Sequence, residues 1–486
     1  MGVIIRQSIK GTIINYIGTF IGFITTMFIV TKFLAPEDIG LTKVIMEVGL
    51  LFSSLALLGT SSSILRFFPY FRDKEKENNG FFFYIMALPF IGCLIFIPLY
   101  IILKEPITDF FIKNSSLFVS YFYWVIPLIF FLTYWFVFES YSNVHMRIVG
   151  PKFIREIILK ILLVVVYLLY GFQVIGRDGL VGSYIAVHGV AMVATFLYVS
   201  RIAPITFKHD NSFVGKELRK DIAKYTVFLL VGALGSNLLN RLDIFMISSQ
   251  MGLNYTGAYT IAFYMAQVIE IPSRSITAIS SATAATYLRE GKVEDANRLY
   301  KKVSLNQLLI GGIVFVLVWS NIDNIFKIMP NGETYAIAKW VVLFIGFSKL
   351  IDTTLSFGGI LISFSKYYYW SLYFVFIIAG IGILTNYLLI PVLGVSGAAI
   401  ATLISTMLSL SFQQWIVQRK IKANPLTKGT LISVIIILVL FGINYLLPQV
   451  ANFWIDIIYR SSILGLLAFL IVFVTKVSPE FNGVVV

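Results

Sequence analysis

Few ionisable side chains lie inside the apolar stretches of this chain, and their spacing limits what each can do. Glu270 and Arg274 are four residues apart, so a helix puts them on one face. Two roles are open: a self-neutralised pair that holds a bundle together, or an arginine that faces a cavity and contacts phosphate. Arg241 and Asp243 are two apart; on a helix they point about 200° away from each other and pair poorly. Each needs another partner or water. An interhelical salt bridge is one reading, with Arg241 as a second phosphate contact and Asp243 as a coupling carboxylate the other. Lys43 and Glu47 repeat the four-residue spacing, and Lys349 and Asp352 are three apart. Both pairs are expected to be neutralised within their own helices. Arg66 is read as a snorkelling interfacial anchor, with phosphate contact as its alternative. His188 stands alone, as a packing histidine or a proton relay, and Asn15 and Asn386 suit interhelical hydrogen bonds.

These groups need an explanation because of the elements that carry them. The 486 residues are 58% hydrophobic and 13% charged, against about a quarter charged in a soluble domain. The apolar residues form blocks of about 20, the length of a helix that crosses a bilayer, where an ionisable group costs about 2.5–3.5 kcal/mol. The spans read as 11–33, 41–65, 80–103, 117–141, 154–173, 180–201, 223–249, 255–283, 302–322, 335–362, 367–391, 396–417, 428–447 and 457–476. The fold class expected is all-α and polytopic, with about fourteen transmembrane helices. The first block is too long for a signal-peptide core and is read as a retained helix. Short alternating strands of a membrane barrel are not seen.

Other chemistries are disfavoured by composition. The net charge of +14 follows from basic loops between spans, a topology signal rather than a nucleic-acid footprint. A single cysteine, Cys93, and three scattered histidines give neither an intrachain disulfide nor a metal site. No cofactor and no catalytic residue are expected. A membrane polymerase or glycosyltransferase would display groups in sizeable outer loops; here the loops after the first, seventh and eleventh spans are very short, and Glu37 and Asp38 are the only close acidic pair in one.

Lys and Arg crowd one set of loops: Arg66, Arg72, Lys74 and Lys76; Arg147, Lys152, Arg155 and Lys160; Arg201, Lys208, Lys216, Arg219, Lys220 and Lys224. By the positive-inside bias both termini are cytoplasmic. A repeat is also visible. GLVGSYIA at 179–186 returns 215 residues later as GVSGAAIA at 394–401, and Gly18, Gly40 and Arg72 return 217 residues on as Gly235, Gly257 and Arg289. Six spans per repeat imply two parallel bundles about a pseudo-two-fold axis along the membrane normal. The expected organisation is a bundle over 1–201, a linker over 202–222, a second bundle over 223–417 and two further helices over 428–476. Substrate pathways in such proteins lie between the bundles. Gly232 and Gly235, and Gly346, Gly358 and Gly359, permit either helix bending or tight static packing.

FLAPEDIGLTKV at 33–44, NRLDIFMISSQMG at 240–252 with TGAYTIAFYMAQVIEIP at 256–272, and LGVSGAAIAT at 393–402 resemble helix turns of the polysaccharide-exporter branch of the multidrug/oligosaccharidyl-lipid/polysaccharide transporter superfamily. The resemblance implies a Wzx-type flippase: an inner-membrane exporter of undecaprenyl-pyrophosphate-linked oligosaccharide, such as the O-antigen unit of lipopolysaccharide. Its partners would be the membrane, the lipid-linked oligosaccharide, a coupling ion (H+ or Na+) and other polysaccharide-assembly proteins. Drug/cation antiporters of the superfamily usually use a carboxylate buried in a transmembrane helix for coupling, and the first span here has no Asp or Glu. Lipid II flippases carry arginines in the first helix, where this chain has only Lys32. They also use a basic residue on the eighth helix, the level at which Arg274 is comparable. The antiporter is the alternative reading.

Overall fold

The computed structural model describes residues 2–73, 77–207, 241–367 and 369–477, and no described residue lies in a strand. Residues 208–222 of the expected linker, most of the seventh span, Gly232, Gly235 and Tyr368 fall outside these ranges. Eleven described helices are long and apolar enough to cross a membrane, which makes this a polytopic, all-α membrane protein. In chain order the helical stretches are α1 (Lys10–Phe33), α2 (Pro36–Phe71), α3 (Asn78–Ile102), α4 (Phe122–Val144), α5 (149–171), α6 (Arg177–Ser200), α7 (Leu242–Gln250), α8 (253–289), α9 (Val293–Ser320), α10 (Gly332–Leu355), α11 (Tyr373–Leu393), α12 (Val395–Ile421), α13 (Lys428–Leu446) and α14 (Phe453–Thr475). Of these, α5, α7 and α8 are not among the eleven. α5 carries Lys152, Arg155, Glu156 and Lys160, and α8 is rich in Ser and Thr.

Three helices break where the residues dictate it. α2 opens on Pro36 followed by Glu37 and Asp38, a fixed φ and two anions at the positive end of the helix. It is interrupted at Leu58 and Gly59, both left-handed (φ 47° and 68°), and resumes at Thr60. α8 tightens into a 3-10 turn over Gln267–Glu270 before Ile271–Arg289. Pro272, with no N–H to give, sits in the first turn of that second segment. α10 ends at Leu355, and a short helix, Phe357–Ser363, follows. The Leu355 carbonyl there accepts from Tyr300 Oη at 2.9 Å and from Gln413 Nε2 at 3.2 Å.

The chain forms two compact units, Met1–Gly257 and Ala258–Val486. The first has an aromatic core in which Phe67, Phe68 and Phe71 of α2 meet Phe81 and Phe82 of α3 and Tyr134, Phe138 and Tyr141 of α4. Close approaches depend on missing side chains: a Cβ on Gly92 would lie 1.9 Å from the Ala56 carbonyl oxygen. Arg177 Nε reaches Asp38 Oδ1 at 2.8 Å and its Nη2 reaches Glu37 Oε2 at 3.1 Å. Tyr170 donates to Asp38 at 2.8 Å, so the Glu37–Asp38 pair ties α2 to α6.

In the second unit α9 packs on α10, α13 and α14 through Leu309, Phe315, Leu350, Leu440 and Leu464. A buried polar knot fixes the last two helices. Arg460 Nε donates to Asp456 Oδ2 at 2.9 Å, and its Nη groups donate to Asn444 Oδ1 and to the carbonyls of Asn444, Leu447 and Pro448 at 2.9–3.2 Å. Asn324 and the Val450 amide complete the shell of Asp456 at 2.6 and 2.9 Å.

Candidate functional site: two carboxylates with two cations each

In the first unit Glu47 is the centre. Lys43 Nζ lies 2.7 Å from its Oε1, on the same face of α2 as the spacing requires. Arg241, at the start of α7, brings Nε to 2.8 Å from Oε2. The partner that Arg241 needed is thus Glu47, while Asp243 is half-buried two residues on. The group is closed: the Glu47 and Arg241 side chains are only 10% and 11% exposed. Charges this covered persist only with every polar atom matched or neutralised.

In the second unit Glu270 is the centre, at the break in α8. Its Oε1 lies 3.5 Å from Arg274 Nε and its Oε2 lies 3.0 Å from Lys349 Nζ on α10. The expected neutralisation of Lys349 by Asp352 is corrected here: among the described residues these two form no ion pair, and the ammonium turns across to α8. The reason is geometric. Positions three apart on a helix can pair, but here the Glu270 carboxylate of α8 lies within reach of the same ammonium and takes it. The Phe263 ring, also on α8, lies 5.9 Å from the same ammonium. Asp352 is half-buried one turn on.

Arg274 stands apart from the other cations of the two groups. Its side chain is 58% exposed, against 34% for Lys43, 25% for Lys349 and 11% for Arg241. It sits three residues inside the second segment of α8. Its Nε lies 3.5 Å from Glu270, at the long end of the ion-pair range. A guanidinium's Nη fork is the part that matches a phosphate or carboxylate in two parallel bonds. Beside it α8 presents hydroxyls: Ser273 donates to the Glu270 carbonyl at 2.7 Å, and Thr277 accepts from Gln307 Nε2 at 2.8 Å. Gln307 Oε1 and Ser304 Oγ are buried without a partner among the described residues.

The other candidates are plain. Arg66 is exposed on the second segment of α2, 5.4 Å from the Phe67 ring. His188 is 2% exposed and its Nδ1 is 2.8 Å from the Tyr184 carbonyl, a packing arrangement. Asn386 Nδ2 donates to the Gly382 carbonyl within its own helix at 2.9 Å. Gly346 packs against Ile269 and Phe315, and Gly358 and Gly359 against Tyr300 and Gln413.

Two charge groups escape the sequence reading. One is the Asp456–Arg460 knot. The other links α4 and α5: Arg155 to Glu139 at 2.9 Å and to Glu156 at 3.2 Å, and Lys160 to Glu156 at 2.9 Å and to the Gly18 carbonyl at 2.7 Å. A Cβ on Gly18 would lie 2.5 Å from that of Glu156. The i,i+4 pairs Glu156–Lys160 and Asp456–Arg460 were the available signal; both sit at span edges, where loop charge and helix charge look alike. Among the described residues no cluster of His, Cys, Asp and Glu could hold a metal ion.

No family model matches the chain. The uncharacterized membrane protein MJ1068 of Methanocaldococcus jannaschii is 22% identical over 425 residues, 85% of this chain and 82% of that protein. Among solved structures, a lipid II flippase MurJ in an inward closed conformation superposes with a TM-score of 0.75 at 14% identity, over 97% of this chain and 98% of that one. An inward-facing multidrug resistance MATE family transporter of the MOP superfamily gives 0.60 at 15% identity, over 85% and 94%. A mutant of the Vibrio cholerae MATE transporter VcmN gives 0.55 at 12% identity, over 87% and 98%. The chain shares the fold of these transporters and flippases.

Proposed function

We propose that the protein is a flippase that carries an undecaprenyl-pyrophosphate-linked oligosaccharide, a surface-polysaccharide repeat unit, from the cytoplasmic to the periplasmic leaflet by alternating access. It would lie in the inner membrane with fourteen spans and both termini cytoplasmic, with the basic loops facing inward. The observation that carries the reading is Arg274: an exposed guanidinium midway along α8, 3.5 Å from a carboxylate that Lys349 already neutralises. A pyrophosphate headgroup crossing hydrocarbon needs such a charge partway. An inside-negative potential favours its outward passage by about 2.3 kcal/mol per charge per 100 mV. Likeness to a lipid II flippase over 97% of the chain, which takes in α13 and α14, supports this reading over a cation-coupled drug antiporter, as does the absence of Asp and Glu from α1.

The test replaces Arg274 with Ala and with Lys while membrane protein level is followed. Arg274→Ala is expected to lower surface-polysaccharide export about tenfold or more at normal protein level, the loss of one charged hydrogen-bonding partner, and Arg274→Lys to restore part of it. Normal export by Arg274→Ala would leave the arginine as a structural partner of Glu270 and remove the support for a cationic headgroup site there.

A further inference from the structure

No Asp or Glu occurs between Asp352 and Asp456, and the only basic residues in that stretch are Lys366, Arg419, Lys420, Lys422 and Lys428. Lys366 lies between α10 and α11, Arg419 and Lys420 in the last turn of α12, Lys422 just past it, and Lys428 opens α13. Two spans separate the first of these joints from the second, so all five cations stand at one membrane face. All are exposed, and none forms an ion pair with a described residue. Bases at other helix ends are matched: Lys292 meets Glu290 at 2.8 Å, Arg298 meets Asp295 at 3.7 Å, and Lys160 meets Glu156 at 2.9 Å. The positive-inside bias accounts for bases at such ends; it does not require that acids be missing beside them.

Aromatic rings adjoin these cations. Trp370, just before α11, and Phe374 on it meet Phe412 of α12 at 6.1 and 5.2 Å, and Phe412 meets Trp415 at 5.7 Å. Trp415, one turn before Arg419, is half exposed, and the Tyr367 ring lies 5.3 Å from the Lys366 ammonium. Such rings suit the boundary between acyl chains and headgroups. The backbone that carries the cations is fixed. The Asn424 amide donates to Asn297 Oδ1 at 2.8 Å, the Ala423 amide to the Val417 carbonyl at 3.4 Å, and Thr427 and Thr430 close a capping box. From the same edge rises α11, with Phe376, Leu384, Tyr387 and Val392 exposed along its length, as befits a helix that faces lipid chains.

We propose that this acid-free edge binds the headgroup of an anionic phospholipid of the surrounding leaflet, with Arg419, Lys420 and Lys422 supplying the charge and the Trp370–Phe412–Trp415 rings lying beside its chains. Arginine offers a phosphate two parallel donors, and each further base adds attraction to an anionic surface. No carboxylate of the same stretch competes for them. The proposal rests on the membrane-spanning fold and not on the cargo.

The experiment reconstitutes the full chain in phosphatidylcholine vesicles that contain a minor share of phosphatidylglycerol with brominated chains, which quench nearby tryptophan fluorescence. The reading is the binding constant of that lipid relative to brominated phosphatidylcholine. The parent is expected to prefer phosphatidylglycerol, less so as salt rises, and Trp415→Phe to remove part of the preferential quenching. Arg419→Gln with Lys420→Gln should lower the relative constant about tenfold or more, at about fivefold per charge; Lys422→Gln alone should give one such step. The control, Lys292→Gln with Arg298→Gln, takes the same charge from the paired turn between α8 and α9 and should change the constant by less than about twofold. A parent-like melting temperature shows that each variant keeps its fold. The site is overturned if the parent shows no preference, or if both double variants lower it equally, since net charge would then explain the effect. Displacement of the brominated lipid by equimolar undecaprenyl pyrophosphate would overturn the phospholipid as occupant in favour of a cargo headgroup. No transport is measured, so failure of the flippase reading shows in export by Arg274 variants alone.

Discussion

The groups around Glu47 and Glu270 are built from the same parts and differ in how far they are closed. Each carboxylate holds two cations, one four residues away on its own helix and one on another helix. Around Glu47 the distances are 2.7 and 2.8 Å and the carboxylate and Arg241 are covered. Around Glu270 they are 3.0 and 3.5 Å, the carboxylate is about a quarter exposed and Arg274 more than half. The first group is a joint, with its ions consumed by one another. The second keeps a guanidinium in hand. The same spacing thus yields two groups that differ in closure, and we propose that the open one is the functional one.

Substitutions can break or sharpen that contrast. The largest effect is expected from Glu47→Ala, which strands Lys43 and a buried Arg241; uncovering a buried ion in this way costs about 3–5 kcal/mol, read as a fall in melting temperature of the detergent-solubilised protein and in membrane level. Pairing Glu47→Leu with Arg241→Met should recover most of that loss, since apolar replacements of a buried ion pair are close to neutral. Glu270→Gln should cost about 1 kcal/mol or less in the same melt, as expected for partly exposed ions, while changing export. If it melts as early as Glu47→Ala, the two groups are both joints and the contrast fails. Smallest of all, Lys43→Ala removes a half-exposed i,i+4 pair worth a few tenths of a kcal/mol, below what export should register.

Much of this was legible in the residues. Apolar blocks of bilayer length placed the helices, and four-residue spacing placed Lys43 on Glu47 and Arg274 on Glu270. The rest depends on which helices become neighbours, and a single sequence does not say that. Lys349 turns to Glu270 rather than to Asp352 because α8 and α10 meet. Arg241 finds Glu47 because α7 meets α2. The break in α8 at Gln267–Glu270 is foreshadowed only by Pro272, which also fits the first turn of an uninterrupted helix. Gly40 and Gly257 were visible as a repeat, but their fit against the carbonyls of Leu253 and Pro36 is a fact of three dimensions.

The polar knot at the start of α14 bears on how the last two helices are held. Asp456 and Arg460 pair within α14, and the Nη groups of the guanidinium are satisfied by Asn444 and by the carbonyls of Leu447 and Pro448 just past the end of α13. Those carbonyls are the ones that a helix terminus leaves open. Each helix thus carries polar groups at its end that the other covers. The last two helices are thereby joined by their polar ends as well as by their apolar faces.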